Sequence, residues 1–184
     1  FKYMGGVLKG DMGKSYKNSL DVADQIMERF PNTVILSFCA ILIAILVGIP
    51  IGIISARHQN TILDRVSMIF ASMPGFWLGL MLVIVFSVNL RLLPSSGFDT
   101  SSLGAAARSL VLPSIVLSVN SMATITRMTR SSMLEVMRKD YIDTARAKGE
   151  KESVVTVRHM LKNALIPIVT VVGISFGNLL GGSI

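Results

Sequence analysis

Three short strings in this chain place chemically capable side chains at suggestive spacings. "GGVLKGDMGKS", residues 5–15, ends in the Gly-Lys-Ser of a phosphate-binding loop. Such a loop needs a glycine, four residues, then Gly-Lys-Ser or Thr, so that backbone amides cradle phosphate. Counting back from Gly13, the first glycine position holds Leu8, and no strand pattern precedes it, so this chain is not read as binding ATP. "GISFG", residues 173–177, puts Ser175 near the middle of a charge-free run, where an intramembrane serine hydrolase would hold its nucleophile. That chemistry needs a histidine at the same depth, and His58 and His159, the two histidines of the chain, both lie outside the charge-free runs. Ser175 therefore reads as a small helix-packing residue. Neither histidine has a ligand partner at metal spacing. The third string, "DYIDTARAKG", residues 140–149, opens the most charged stretch of the chain.

The elements that must position these residues belong to a membrane protein. Hydrophobic residues make up 51% of the chain, only 16% are charged and the mean hydropathy is +0.61, too apolar for an ordinary soluble domain of this length. The formal charge of +7 does not point to nucleic acid, because the charges lie between long uncharged runs rather than on one soluble face. Cys39 is the only cysteine, which excludes an internal disulfide, and it reads as a packing residue within an apolar run.

Four runs lack any charge: Thr33 to Ala56, Val66 to Leu90, Ser109 to Thr126 and Asn163 to Ile184. A helix needs about 20 residues to cross a hydrocarbon core of about 30 Å. The fold class is accordingly all-α, a polytopic transmembrane helical bundle with helices at about 33–56, 66–90, 108–127 and 164–184. Phe1 to Phe30 alternates charged and apolar residues and has no continuous hydrophobic core, so no signal peptide is expected there, and residues 1–32 are read as a separate segment ahead of the first span. The chain stops within an apolar run at "NLLGGSI", so we expect it to be part of a longer protein.

Lysine and arginine orient the bundle. Arg57 and Arg65 flank the first turn, and nine more crowd the long segment 127–162, against Arg91 and Arg108 near the other loop. The positive-inside rule predicts that the 57–65 turn and the loop at about 128–163 are cytoplasmic, with residues 1–32 and 91–108 outside. The five basic residues of the opening segment run against that rule.

Within the long loop, Ser131 to Lys148 has good helix formers without Pro or Gly, and Gly149 breaks the pattern. Glu150 to Leu165 then resumes, with Val154, Val157, Leu161, Ala164 and Leu165 as its apolar stripe and Lys151, Arg158 and Lys162 on the polar face. The expected structure is helix, glycine turn, helix. One reading lays it on lipid headgroups, with bases snorkelling to anionic lipid. The interleaved acids, with Thr144, Ala145, Ala147 and Gly149 allowing close backbone approach, favour a protein-docking element. Among the intramembrane residues, Asn89 and Asn120 are candidate pore-facing groups, with helix-to-helix hydrogen bonding as the alternative. Trp77 and Phe76 beside Pro74-Gly75 read as core or kink residues ahead of substrate contacts, and Trp77 is kept as a third pore-facing candidate.

The string "DYIDTARAKG" resembles the cytoplasmic EAA loop of binding-protein-dependent ABC importer permeases, in the form used by the dipeptide, oligopeptide and nickel branch. The general pattern is Glu-Ala-Ala, three residues, then Gly; here the matching positions are Asp143, Thr144, Ala145 and Gly149. The general pattern's Ile-x-Leu-Pro falls on His159, Met160, Leu161 and Lys162, and a proline appears instead at Pro167 in "NALIP", as in the peptide and nickel branch. "GDMGKSY", "ERFPNT", "HQNTILDR", "MPGFWLGL", "LLPSSGF", "LVLPSIVLS" and "TRMTRSSMLEVMRKDY" are similar to that branch in the same order.

The resemblance implies a partial type I ABC importer permease fold, holding the second to fourth of six helices, the EAA loop and the start of the fifth, in the cytoplasmic (inner) membrane of a prokaryote. It implies a transport subunit rather than an enzyme, moving dipeptides, oligopeptides or nickel by alternating access. The implied partners are a second permease, two cytoplasmic ATPases that bind ATP and Mg, an external solute-binding protein and the surrounding lipid. No cofactor is expected in this chain. ATPase docking would fall on Asp140, Tyr141, Asp143, Thr144, Ala145, Arg146, Ala147, Lys148 and Gly149.

Overall fold

The computed structural model describes residues 2–7, 10–17, 19–58, 74–95, 97 and 101–182. The string "HQNTILDR" from Gln59 onward, and the first part of the second expected span, lie outside the described residues. A short helix, α1 (Lys2–Val7), is followed by a loop tied by an isolated antiparallel bridge between Lys14 and Asp21. The long helices are α2 (Val22–Arg57) and α4 (Leu103–Met137), with α3 (Gly75–Leu82) between them continuing as a π-helical segment, Val83–Asn89. Then come α5 (Asp140–Ala147), the single turn α6 (Glu152–Val154), a second π-helical segment (Val155–Leu161) and α7 (Lys162–Gly182). No strand occurs among the described residues, in agreement with the all-α expectation.

Three helical stretches, beginning at Val22, Gly104 and Glu152, are long and apolar enough to cross a membrane, and Gly75–Asn89 is a shorter apolar helix. The helices overrun the charge-free runs that signalled them. α2 starts at Val22 rather than near residue 33, because the Asp21 carboxylate caps it by accepting from the Ala23 amide at 3.1 Å and Asp24 complements the positive end of its dipole. At about 1.5 Å per residue, its 36 residues reach roughly 54 Å, well beyond the hydrocarbon core. α4 likewise starts at Leu103, where the Ser102 hydroxyl accepts from the Ala105 amide at 3.1 Å, and runs through Pro113 to Met137. The charged loop expected from residue 128 therefore begins as a rigid extension of the third span.

α2 and α4 form the central pair. Gly48 and Gly52 let them touch: a Cβ at Gly48 would stand 3.0 Å from the Met122 carbonyl oxygen, and one at Gly52 would stand 2.6 Å from the Thr129 Cβ. Small residues are buried along both helices: Ser37, Ala40, Ala44 and Ser55 on α2 and Ser114, Ser118 and Ser132 on α4. Small residues at such contacts maximise backbone packing where lipid removes the hydrophobic drive for helices to associate. The two helices run parallel, since Ile41 and Ala44 share a cluster with Ile125 while Ala56 shares one with Met133. α7 runs antiparallel to both: Ala164 lies in the Met133 cluster, and Val171 and Val172 pack on the Ile125 cluster. Ile166 and Val169 of α7 are exposed, as are Phe38 and Leu46 of α2, which suits a lipid-facing surface.

The predicted apolar stripe on the segment entering α7 is displaced. Val154, Val157 and Leu165 are exposed, Val157 to 62%; Ala164 of the expected stripe is buried, and the other buried positions are Val155, Thr156, Met160 and Ile168. The cause is the π-helical segment. Its i to i+5 hydrogen bonding accommodates an extra residue, so an apolar pattern counted at 3.6 residues per turn falls out of phase.

Candidate functional site

The charged segment forms one folded unit at the end of the bundle. α4 stops at Met137, and Lys139, in extended conformation, starts α5 one residue after the Arg138 cap. This break was not anticipated, because neither residue is a glycine or proline. α5 ends where expected. Gly149 has φ +79°, and a Schellman motif closes the helix: the Glu150 amide donates to the Ala145 carbonyl at 3.4 Å and the Gly149 amide donates to the Arg146 carbonyl at 2.9 Å.

Side chains brace the turn. Arg146 Nη2 lies 2.9 Å from Glu152 Oε1, its Nε contributes a further bond at 3.3 Å, and its Nη1 reaches Asp143 at 3.5 Å. This fork geometry links the helix before the glycine to the turn after it. The hydrogen bond from Arg146 holds the Glu152 carboxyl below its ordinary range, against the opposing effect of burial, with the charges of Arg146 and Arg57 adding to the shift. His159 Nε2 lies 2.8 Å from Glu150, forming a second link across the turn.

The nine candidate docking residues divide into two sets. Asp140, Tyr141, Asp143, Thr144, Arg146, Ala147, Lys148 and Gly149 are exposed. Ala145 is only 6% exposed and packs with Ile142 into a core cluster holding Ala56, Met133, Val136, Val155, Met160, Ala164 and Ile168. The sequence expectation that Ala145 leaves room for a partner is therefore corrected: its small size serves contact with the chain's own helices. That cluster carries residues of α2, α4, α5 and α7, so α5 is seated on the ends of all three long helices.

A second feature lies higher in the bundle. A cleft of about 630 Å³ opens between α3, α4 and α7, lined on α4 by Val116, Leu117, Asn120, Ser121 and Thr124 and on α7 by Val171, Ile174, Ser175, Asn178, Leu179 and Gly182. Gly75 and Phe76 of α3 complete it. Asn120 is thus on the cleft wall; Trp77 and Asn89 are exposed but are absent from its described lining. Pro74 precedes the first turn of α3 as its cap residue, and Phe76 is 75% exposed rather than a core residue. Ser175 is buried on the wall, and no histidine appears among the described lining residues. No group of three or more His, Cys, Asp or Glu able to hold a metal occurs among the described residues.

Two features escaped the reading of the sequence. Asn178 stands three residues after Ser175 in a charge-free run and was legible as an intramembrane amide, but only the antiparallel pairing of α4 with α7 puts it on the same cleft as Asn120. Gly48 and Gly52, four apart in "GIPIG", carry a small-x3-small pattern that marks a close helix contact.

Comparison with known proteins adds independent findings. Residues 48–184 match the model of the family described as "Binding-protein-dependent transport system inner membrane component". The chain is 39% identical over its whole length to an oligopeptide transport system permease protein of Bacillus subtilis (strain 168), covering 61% of it. It is 40% identical, over 99% of its length and 62% of the relative, to a dipeptide transport system permease protein of Escherichia coli (strain K12). A glutathione transport system permease protein of Pectobacterium atrosepticum is 42% identical over 99% of this chain and 59% of the relative. The chain thus spans about three fifths of the length of these relatives.

Proposed function

The chain belongs to the family of binding-protein-dependent transport system inner membrane components, and from that premise we propose that it forms part of a permease subunit importing peptides across the inner membrane. The relatives named for oligopeptide, dipeptide and glutathione transport support peptides as the cargo. The cleft lining supports it too: amides and hydroxyls suit a peptide, whereas nickel would call for imidazole, thiolate or carboxylate ligands.

The observation that carries the mechanism is the seating of α5 on the core cluster shared by α2, α4 and α7. A force applied to the exposed side of α5 reaches the membrane helices through packed side chains, because packed cores transmit displacement rather than absorb it. In this reading α5 and the Gly149 turn dock, at the cytoplasmic face, on a separate ATPase subunit that binds ATP and Mg. Closure of the ATPase pair drives alternating access of a translocation path shared with a second permease subunit, and a solute-binding protein delivers cargo from outside.

Site-specific crosslinking tests the assignment. A cysteine at Ala147, in the full-length permease with its ATPase, should crosslink to the ATPase, and a cysteine at Ala145 should not. Absence of crosslinks from every exposed α5 position in a transport-active complex would refute ATPase docking at this element.

A further inference from the structure

We infer that the cleft between α3, α4 and α7 binds the main chain of the transported peptide, with the side-chain amides of Asn120 and Asn178 pairing with its peptide groups; this rests on the peptide-permease reading above. Both asparagines line the cleft and are exposed, and neither side-chain amide has a hydrogen-bond partner among the described residues. Ser121 and Ser175 line the same walls, each only 8% exposed, and their hydroxyls are likewise without a hydrogen-bond partner among the described residues. Thr124 is different, since its hydroxyl donates to the Asn120 carbonyl at 3.0 Å.

Amides left open on the wall of a cleft in a membrane-spanning helix bundle mark a place where something polar is expected, since lipid cannot satisfy them. The chemistry of the groups says what. A primary amide offers two donors and one acceptor atom, the complement of a peptide unit with its N–H and C=O. Such pairing reads the backbone and ignores the side chains. Among the described lining residues none is charged, so the cleft has no group specific for a peptide terminus or an ionised side chain. The remaining wall is apolar, from Phe76, Val116, Leu117, Val171, Ile174 and Leu179, and tolerates varied side chains. A volume of about 630 Å³ suits a short peptide segment. A site of this kind accepts peptides of many sequences while rejecting molecules that lack the amide.

The test uses the full-length permease assembled with its partner subunits in liposomes. Uptake of a dipeptide is compared with uptake of its ester isostere, in which the backbone N–H is replaced by oxygen and the side chains are kept. The wild-type transporter should prefer the amide by about tenfold, the scale of one or two neutral hydrogen bonds. In Asn120→Leu/Asn178→Leu the ratio should fall to about one, and Asn120→Gln/Asn178→Gln should retain a preference. If the leucine variant fails to assemble, the single changes Asn120→Ser and Asn178→Ser must each lower the ratio. An unaltered ratio in variants that assemble, or no preference in the wild type, would overturn the inference and leave the permease reading standing. Loss of assembly in every variant, the glutamine pair and both single serine changes included, would assign the asparagines to helix contact and overturn the inference. Absence of any peptide uptake by the wild-type transporter would overturn both.

Discussion

The Thr126 hydroxyl donates a hydrogen bond of 3.2 Å to the Gly48 carbonyl, joining α4 to α2 within a seam that has room for no side chain at Gly48 or Gly52. The bond is possible because glycine lets the two backbones approach. A Cβ at Gly52 would meet the Thr126 carbonyl oxygen at 2.8 Å as well as the Thr129 side chain, whereas one at Gly48 meets its nearest neighbour at 3.0 Å.

Gly52→Ala should therefore destabilise the bundle by about 1–3 kcal/mol through overpacking, and by more than Gly48→Ala. Thr126→Val should cost less, about 0.6 kcal/mol, the average for an interhelical hydrogen bond in a membrane protein. Thermal unfolding of the full-length permease in detergent checks the order. Equal tolerance of Gly52→Ala and Thr126→Val would contradict the close contact.

Gly149 stands at φ +79° with open space around it, so a side chain there is opposed by backbone conformation alone. Gly149→Ala should destabilise the turn by about 1 kcal/mol, and the β-branched Gly149→Val by more. In the assembled transporter, Gly149→Val should reach the membrane but uncouple ATP hydrolysis from uptake. Normal uptake by that variant would speak strongly against the turn as a coupling element.

Ala145 and Ala147 differ by two residues and face opposite ways, one into the core and the other outward. Ala145→Leu should lower the unfolding temperature, with about 1–3 kcal/mol lost to overpacking. Ala147→Leu should leave that temperature unchanged and weaken ATPase binding, measured by co-purification. Reversal of the two effects would invert the proposed docking face.

The Glu152 carboxyl is held below its ordinary range by Arg146. The stabilisation from this link is fully present above the unfolded-state pKa of a glutamate and disappears as pH falls through the lower folded-state value. Carboxyl carbon shifts of labelled Glu152 should titrate at a lower pH than those of an unpaired glutamate, and Arg146→Gln should move the midpoint up. A midpoint unaffected by Arg146→Gln would mean that the pair does not persist.

Much of this architecture was legible. Charge-free runs announced the long helices, since a charge inside hydrocarbon is costly, and Gly149 announced the turn. The ends of the helices were less so. Charged residues are compatible with helix outside the bilayer, so Val22 to Asn32 and Arg127 to Met137 continue the helices with no compositional signal at the boundary. The break at Arg138-Lys139 carries no breaker residue. The inward face of Ala145 depends on where α2 and α7 end, and the pairing of Asn120 with Asn178 on one cleft depends on the direction of α7 relative to α4. Both are tertiary facts that no local pattern encodes.

The π-helical segment Val155–Leu161 sets the angular phase of everything after it. In an α-helix each residue advances the chain by about 100°. Winding this segment as α-helix with all of its residues kept would turn α7 by about that angle while α5 stayed fixed on its core. Asn178 would then swing off the wall it shares with Asn120, so the segment acts as a keyway that fixes which side of the final helix faces its neighbours.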